Sequence, residues 1–315
     1  VRLSGKFNEE GIKKITRNIL KYTIPIAITS VVSSLVGMVD LVTVVDGLVT
    51  YYENLGVEDA LLMANEKFGI IAGKVDILVS IPFALNIAII TPLMPAISAH
   101  MARKEKRLAE KKINTAMKLS SIISFPCVAG LVILAQPIFD VIFPNANTGA
   151  ILLQIEALSI IAGLMAQTAE SALVGVNKLN VPTIAIFCGA VTKYILNVTL
   201  IPIYGENVAP ISTIAYHVVD VLVAVIVLYN TLKARMDAKN VIIKPLVASI
   251  IMSVVVILVQ KVCVYINIDN TVSLAVTILA GMLTYFFVVL KTKVLDDSEL
   301  SQIPYVNKIC HLTEN

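Results

Sequence analysis

A lysine lies where the surrounding sequence is apolar enough to cross a membrane. Lys193 follows Pro182 within the run VPTIAIFCGAVTKYILNVTLIPIYG. With a helical rise of ~1.5 Å per residue, it lies about 16 Å from the end near Pro182, close to the middle of a bilayer. A charge at that depth costs at least about 2.5–3.5 kcal/mol, so Lys193 needs an anionic partner, a hydrated cavity or an anionic substrate.

The next apolar segment carries two ionisable residues at similar depth. His217 and Asp220 lie about 15–20 Å along a helix that enters the membrane near Asn207. A hairpin could bring either of them alongside Lys193. Three interpretations stay open: a structural Lys193–Asp220 pair, a cavity cation that meets an anionic substrate, and a proton-linked role. Asn197 follows Lys193 by one helical turn and shares its face.

A stripe of polar and small residues follows helical spacing in the segment 150–174. Its members are Glu156, Ser159, Gly163, Gln167 and Glu170. Such a stripe is either a tight seam between helices or one wall of a hydrated cavity. The two carboxylates favour the cavity, although each could instead be solvated at a membrane edge.

Asp40 and Lys74 are predicted toward the external side of two consecutive spans. An ion pair between them is one expectation, and Lys74 reaching the headgroups is the alternative. On the opposite side, the basic run from Arg103 to Lys112 suits a cytoplasmic edge that touches anionic lipid. Direct binding of a pyrophosphate headgroup by this run is the less favoured interpretation.

The elements that position these residues are apolar segments long enough to span a bilayer. The clearest is Ile70–Met101, whose prolines Pro82, Pro92 and Pro95 predict bends in at least two places. The pattern predicts an all-α polytopic membrane protein with about eight transmembrane helices. The predicted spans are 20–45, 70–100, 114–143, 150–174, 183–203, 207–232, 245–265 and 271–291.

Composition agrees with a membrane protein and excludes other classes. Hydrophobic residues make up 57% of the 315 residues and charged residues 15%, with a net charge of only +3. The basic residues are spread over short loops, so no nucleic-acid partner is expected. The sequence has no phosphate-binding glycine loop and no clustered histidines or cysteines. We therefore expect no enzyme, cofactor or metal, apart from possible coupling to an ion gradient or membrane potential.

The distribution of loop charges predicts topology. Every second loop is basic, which places both termini in the cytoplasm of a bacterial inner-membrane protein. We divide the chain into an interfacial linker helix (1–19), a six-helix lobe (20–232), two additional transmembrane helices (233–291) and a cytoplasmic tail (292–315). The start at Val1 and the basic lead-in suggest an N-terminal truncation.

Several ordered motifs resemble one family. They are the stretch around Asp40, PLMPAIS at Pro92–Ser98 before a basic loop, FPCVAGLVILAQPIFDVIFPN at Phe125–Asn145, and the run from Gln167 to Gly205. Together they resemble the branch of the multidrug/oligosaccharidyl-lipid/polysaccharide (MOP) flippase superfamily that includes stage V sporulation protein B-like and polysaccharide-export proteins. The resemblance covers residues 10–292.

The resemblance implies a flippase that moves an undecaprenyl-pyrophosphate-linked glycan, or a similar anionic lipid precursor, by alternating access. Family members have about fourteen spans, so eight spans would be the second lobe with two extra helices. The missing partner would be the first lobe of the same polypeptide, and we expect these 315 residues alone to insert without transporting. The alternatives are a cation-coupled multidrug antiporter and a non-transporting fragment.

Overall fold

The computed structural model describes residues 9–144, 149–233, 237–292 and Val294, and these residues form helices and connections without a strand. The helices are α1 (Glu9–Asn54), α2 (Ala60–Ile70), α3 (Asp76–Ile90), α4 (Leu93–Ala102), α5 (Lys106–Ile142), α6 (Gly149–Ala157), α7 (Ser159–Gly175), α8 (Val181–Tyr204), α9 (Val208–Leu232), α10 (Lys244–Tyr265) and α11 (Asn270–Lys291). Two π-helical turns, Ile71–Val75 and Lys239–Ile243, precede α3 and α10, and one 3-10 turn, Gly205–Asn207, joins α8 to α9. The all-α prediction is confirmed.

Six helical stretches of the described chain are long and apolar enough to cross a membrane, or up to seven when α6 and α7, bent by 42°, count as one span. One of the six, Val181–Leu232, reverses direction at Gly205, whose positive φ of 73° suits glycine. A Cβ on Gly189 would lie 2.8 Å from the Tyr216 carbonyl oxygen, so α8 and α9 pack against each other as a hairpin. When α6 and α7 count as one span and the α8–α9 hairpin counts as two, the described residues contain eight spans, which is the predicted number.

The first two spans are longer than predicted. The first predicted span ends at residue 45 and the second begins at residue 70. Instead α1 continues to Asn54, α2 begins at Ala60, and the connection between them is short. The acidic residues mark the boundary of the apolar region, whereas a helix continues into water because its backbone hydrogen bonds are internal.

The stretch 70–101 has two irregularities, of which one is at a proline. The π-helical turn Ile71–Val75 lies before Pro82, and a turn at Thr91–Pro92 separates α3 from α4. Pro82 lies inside α3 and Pro95 inside the first turn of α4. Non-helical backbone inside a membrane is tolerated where other protein groups or a hydrated cavity satisfy it.

The packed core of the bundle forms two clusters of buried apolar side chains. One includes Leu48, Phe139 and Leu153. The other includes Ile97, Ile113 and Leu173. Helices α10 and α11 pack against each other and against α5. The many exposed aliphatic side chains on the other faces suit contact with lipid.

Candidate functional site

Lys193 forms an ion pair with Asp40 across the contact between α8 and α1. Its ammonium nitrogen lies 2.5 Å from Asp40 Oδ2, and only 5% of the lysine is exposed. The Asn197 amide donates to Asp40 Oδ1 at 3.2 Å and to Thr43 Oγ1 at 2.9 Å. The prediction that Asn197 shares the face of Lys193 is confirmed.

The predicted partners of Lys193 and Asp40 were wrong. Asp220 does not pair with Lys193, and Lys74 does not pair with Asp40. Because α1 extends to Asn54, Asp40 lies about 21 Å from the C-terminal end of its helix, at the level of Lys193 and not near that end. The Lys74 ammonium instead lies 5.5 Å from the centre of the Phe143 ring, a cation–π arrangement.

A second pair of ionisable groups consists of two carboxyls, Asp76 and Glu156, which are in hydrogen-bonding contact. Each comes from a place where a membrane helix is interrupted. Asp76 begins α3 directly after the π-helical turn, and Glu156 lies at the end of α6, next to the 42° bend at Leu158. Glu156 is 3% exposed, so the prediction that it could be solvated at a membrane edge was wrong.

The ion pair and the carboxyl pair line one cavity of about 280 Å³. Its polar wall also includes Ser159, His217 and Tyr216, and an adjoining hollow of about 240 Å³ shares Asp40 and Asp76. Three buried polar atoms of residues that line the cavity have no hydrogen-bond partner among the described residues: Glu156 Oε2, Ser159 Oγ and His217 Nδ1. Buried polar atoms are nearly always satisfied, so these three indicate a cavity that takes up water or a solute.

Asp220 belongs to a different pair. Its carboxyl contacts that of Glu170 across α7 and α9, and neither residue lines the cavity. Asp220 is 3% exposed, and its Oδ1 atom has no hydrogen-bond partner among the described residues. The physical reason is that Asp220 points from α9 toward α7, whereas Lys193 on α8 points toward α1.

The predicted polar stripe has two parts, which meet near the bend between α6 and α7: one lines the cavity and the other forms a seam between helices. Glu156 and Ser159 line the cavity, as the cavity interpretation expected. Gly163 allows close packing, because a Cβ there would lie 2.4 Å from the Phe83 ring. Gln167 accepts a hydrogen bond from Asn86 at 2.8 Å, which makes this part of the stripe a seam.

Sequence reasoning missed one residue of the cavity, Asp76, and one residue of the neighbouring seam, Asn86. Asp76 lies within a helical stretch that begins earlier than the predicted span, at Ala60. Asn86 is fully buried and joins α3, α5 and α7, since its Oδ1 accepts from Ser120 at 2.7 Å. The sequence does contain a signal for Asn86, because it is a lone amide in an otherwise apolar run.

The cavity carries an excess of acidic groups. Three carboxyls, Asp40, Asp76 and Glu156, line it with one ammonium, that of Lys193. Within the described ranges, no group of three or more histidine, cysteine, aspartate or glutamate side chains is arranged to hold a metal ion. The arrangement can therefore orient an ion pair, exchange protons and meet a polar solute.

Comparison with known proteins places this arrangement in a family. The model of the lipid II flippase MurJ matches residues 75–280, which is more than half of the chain. The chain belongs to the lipid II flippase MurJ family. The matched range contains Asp76, Glu156, Lys193 and Asp220, whereas Asp40 precedes it. Membership confirms the resemblance to MOP-type flippases at the level of the superfamily.

Two proteins of Bacillus subtilis (strain 168) are similar to this chain. The uncharacterized membrane protein YabM is 26% identical over 306 residues, which cover 94% of this chain and 55% of YabM. The lipid II flippase MurJ is 26% identical over 165 residues, which cover 51% of this chain and 30% of that protein. The chain therefore spans about half the length of YabM.

Proposed function

We propose that the protein is a flippase that moves a lipid-linked glycan precursor across the bacterial cytoplasmic membrane by alternating access. The observation that carries this proposal is the MurJ family match over residues 75–280, a range that supplies most of the wall of the charged cavity. The substrate we propose is an undecaprenyl-pyrophosphate-linked glycan or a similar anionic lipid, with both termini of the chain in the cytoplasm. The stage V sporulation protein B-like branch is the part of the superfamily that we favour.

The proposed role of Lys193 is to offer its ammonium to the anionic headgroup. In the structure Asp40 holds that ammonium, so a pyrophosphate would have to compete with the carboxylate. Exchange between two anions lets the ammonium stay paired in both states of alternating access and avoids a bare charge at depth. Asn197 would remain on Asp40 and hold it when the lysine turns away.

The cavity is small relative to the proposed substrate. A volume of about 280 Å³ lies just below the usual range of ligand pockets, ~300–1,000 Å³, and suits a phosphate group or a single sugar. We infer that this cavity takes up the polar headgroup next to the lipid, while the lipid tail stays in the membrane.

A translocation assay in liposomes tests the proposal with the protein expressed from its natural gene. The probes are a fluorescent polyprenyl-pyrophosphate-linked disaccharide and a phosphatidylcholine that carries the same dye. Movement of the first probe but not of the second, measured by quenching from outside, supports the proposal. Equal movement of both probes, or of neither, contradicts it.

A matched pair of lysine variants sharpens the same assay. Lys261 lies on α10 and is exposed, so Lys261→Gln removes a cation from the surface and not from the cavity. We expect Lys193→Gln to reduce translocation of the glycan probe at least tenfold and Lys261→Gln to leave it unchanged.

A further inference from the structure

We propose that Asp76 and Glu156 form a proton-binding site that holds one exchangeable proton and sets the charge of the cavity. The two carboxyls are in hydrogen-bonding contact, and both line the cavity. Two carboxylates in contact cannot both stay ionised away from water, because like charges repel strongly in a medium of low dielectric constant. A single shared proton turns that repulsion into a hydrogen bond.

Burial shows why the pair needs a proton. Glu156 is 3% exposed, and its Oε2 atom has no hydrogen-bond partner among the described residues. Ser159, three residues further along the chain, is fully buried and lines the same cavity, and its Oγ atom also lacks a partner among these residues. An ionised carboxylate would leave strong acceptors unsatisfied there, whereas a protonated one donates a hydrogen bond.

The surrounding charges do not neutralise the pair. Lys193 is the cation that acts on Glu156, but its ammonium is already held by Asp40, which is itself acidic. Lys74 precedes Asp76 closely and is turned toward Phe143. Titratable groups on helices that pack around the pair include His217, Tyr216 and Asp220 on α9, Glu170 on α7, Asp140 and Lys118 on α5, and Lys67 and Glu66 on α2.

The number of ligands favours a proton over a metal ion. A hard cation such as Ca²⁺ takes six to eight oxygen ligands, which is more than the two carboxyl groups supply. In the part of the chain that the structure describes, no third histidine, cysteine or acidic side chain completes a metal site.

Both carboxyls sit on interrupted helices, which gives the site a way to respond to protonation. The π-helical turn Ile71–Val75 orients Asp76, and the bend at Leu158 follows Glu156. Such π-helical turns are frequent at functional sites. When the proton is lost to water in the cavity, two carboxylates remain and repel each other. This repulsion pushes apart the π-helical turn before α3 and the bend at Leu158.

The charge of the cavity changes with the proton. Asp40, Asp76, Glu156 and Lys193 line it. They sum to −2 when all are ionised and to −1 with one proton bound. An anionic headgroup is repelled less by the protonated form. The link from proton binding to lipid affinity rests on the proposed function, whereas the proton site itself does not.

Infrared spectroscopy of the full chain in liposomes tests the site without any transport assay. A buried protonated carboxyl gives a carbonyl band apart from the carboxylate bands and shifts in D2O. We expect wild-type protein to show such a band that exchanges within minutes and titrates with pH. Both proteins keep the second carboxyl pair, Glu170 and Asp220, so the band is assigned from the difference spectrum. The component due to Asp76 and Glu156 should be present in wild-type protein and absent from the isosteric double variant Asp76→Asn/Glu156→Gln.

The control is Asp140→Asn, because Asp140 is exposed and accepts a hydrogen bond from Gln136 at 2.7 Å. It should leave the band unchanged. An unchanged band in the double variant would show that the pair holds no proton. A band that disappears when sodium replaces choline at constant pH would show a cation site instead, and either result overturns the proposal.

The pH profile of translocation separates this proposal from the proposed function. If wild-type protein moves the glycan probe, we expect its rate to depend on pH and the double variant to lose that dependence. A pH dependence that survives in the double variant overturns the link to lipid. If no probe moves, the proposed function fails, and the infrared result still decides whether the proton site exists.

Discussion

Two helix contacts in this membrane bundle are built in opposite ways. Between α1 and α8 a buried ammonium pairs with a half-buried carboxylate, with Asn197 and Thr43 completing the network. Between α10 and α11 the contacts are neutral: Thr277 donates to Gln260 at 3.0 Å, and Gly281 lets the chain approach Val256 closely. Both contacts lie in segments long and apolar enough to span a membrane.

The difference shows what a buried charge adds. Small residues and hydroxyls suffice to join two membrane helices, as α10 and α11 do. An ion pair costs much more to bury, so its presence between α1 and α8, beside a cavity with two further carboxyls, indicates a role beyond packing.

The largest expected effect comes from removing one member of the ion pair. Lys193→Ala leaves the half-buried Asp40 without its cation and should cost up to about 3–5 kcal/mol of unfolding free energy. Lys193→Met with Asp40→Leu removes both charges, and most of that loss should be recovered. Equilibrium unfolding in mixed detergent micelles measures both. A double variant as unstable as the single one would show that the pair is not what stabilises this contact.

The next largest loss of unfolding free energy should come from adding a methyl group where α8 and α9 approach closely beside the cavity. A Cβ on Gly189 would lie 2.6 Å from the Tyr216 ring and 2.8 Å from its carbonyl oxygen, so Gly189→Ala should cost about 1–3 kcal/mol. Gly130 has open space around it, and Gly130→Ala should stabilise its helix slightly. The same unfolding assay applies, and equal effects of the two changes would argue against tight α8–α9 packing.

The sequence predicted the helices and the face on which Lys193 and Asn197 lie, because apolar length and helical spacing are local properties. It did not predict partners, because periodicity shows which face of a helix is polar but not which helix that face meets. Asp40 was placed near the surface since charged residues after it suggested an early end to α1. Asp76 was missed for the same reason. The bend at Leu158 has no proline to signal it, so the division of the stripe could not be predicted.

The neutral contact should be much less sensitive than the charged one. Gln260→Leu removes the acceptor for Thr277 and should cost under ~1 kcal/mol, since hydrogen bonds between membrane helices average about 0.6 kcal/mol. The threonine hydroxyl can turn to a backbone carbonyl of its own helix. A loss as large as that of Lys193→Ala would remove the contrast between the two contacts.

The smallest effect is expected where α1 and α2 meet the turn between α8 and α9. Glu206 in that turn lies 3.1 Å from the Lys67 ammonium and accepts from the Tyr52 hydroxyl at 3.1 Å. Burial acts to raise the pKa of Glu206, but the hydrogen bond from its own backbone amide and the Lys67 ammonium together lower it below the usual value.

The sign of the pH effect follows from that lowered pKa. The ionised Glu206 stabilises the fold above the pKa of the unfolded chain, and its contribution is lost as pH falls through the lower folded pKa. Glu206→Gln should therefore cost about 0.2–1 kcal/mol at neutral pH and nothing in strong acid. Thermal unfolding of both proteins across this range measures the difference, and a gap that widens in acid would contradict the assignment.

The most direct test of the role of the charged contact is glycan translocation by Lys193→Met/Asp40→Leu. This variant keeps a packed contact between α1 and α8 but has no ammonium for an anionic headgroup. We predict that it folds with near wild-type stability and moves the fluorescent polyprenyl-pyrophosphate-linked disaccharide at least tenfold more slowly. A folded double variant that moves this probe at the wild-type rate would show that the ion pair is structural only and that the cavity does not use Lys193 to bind its lipid.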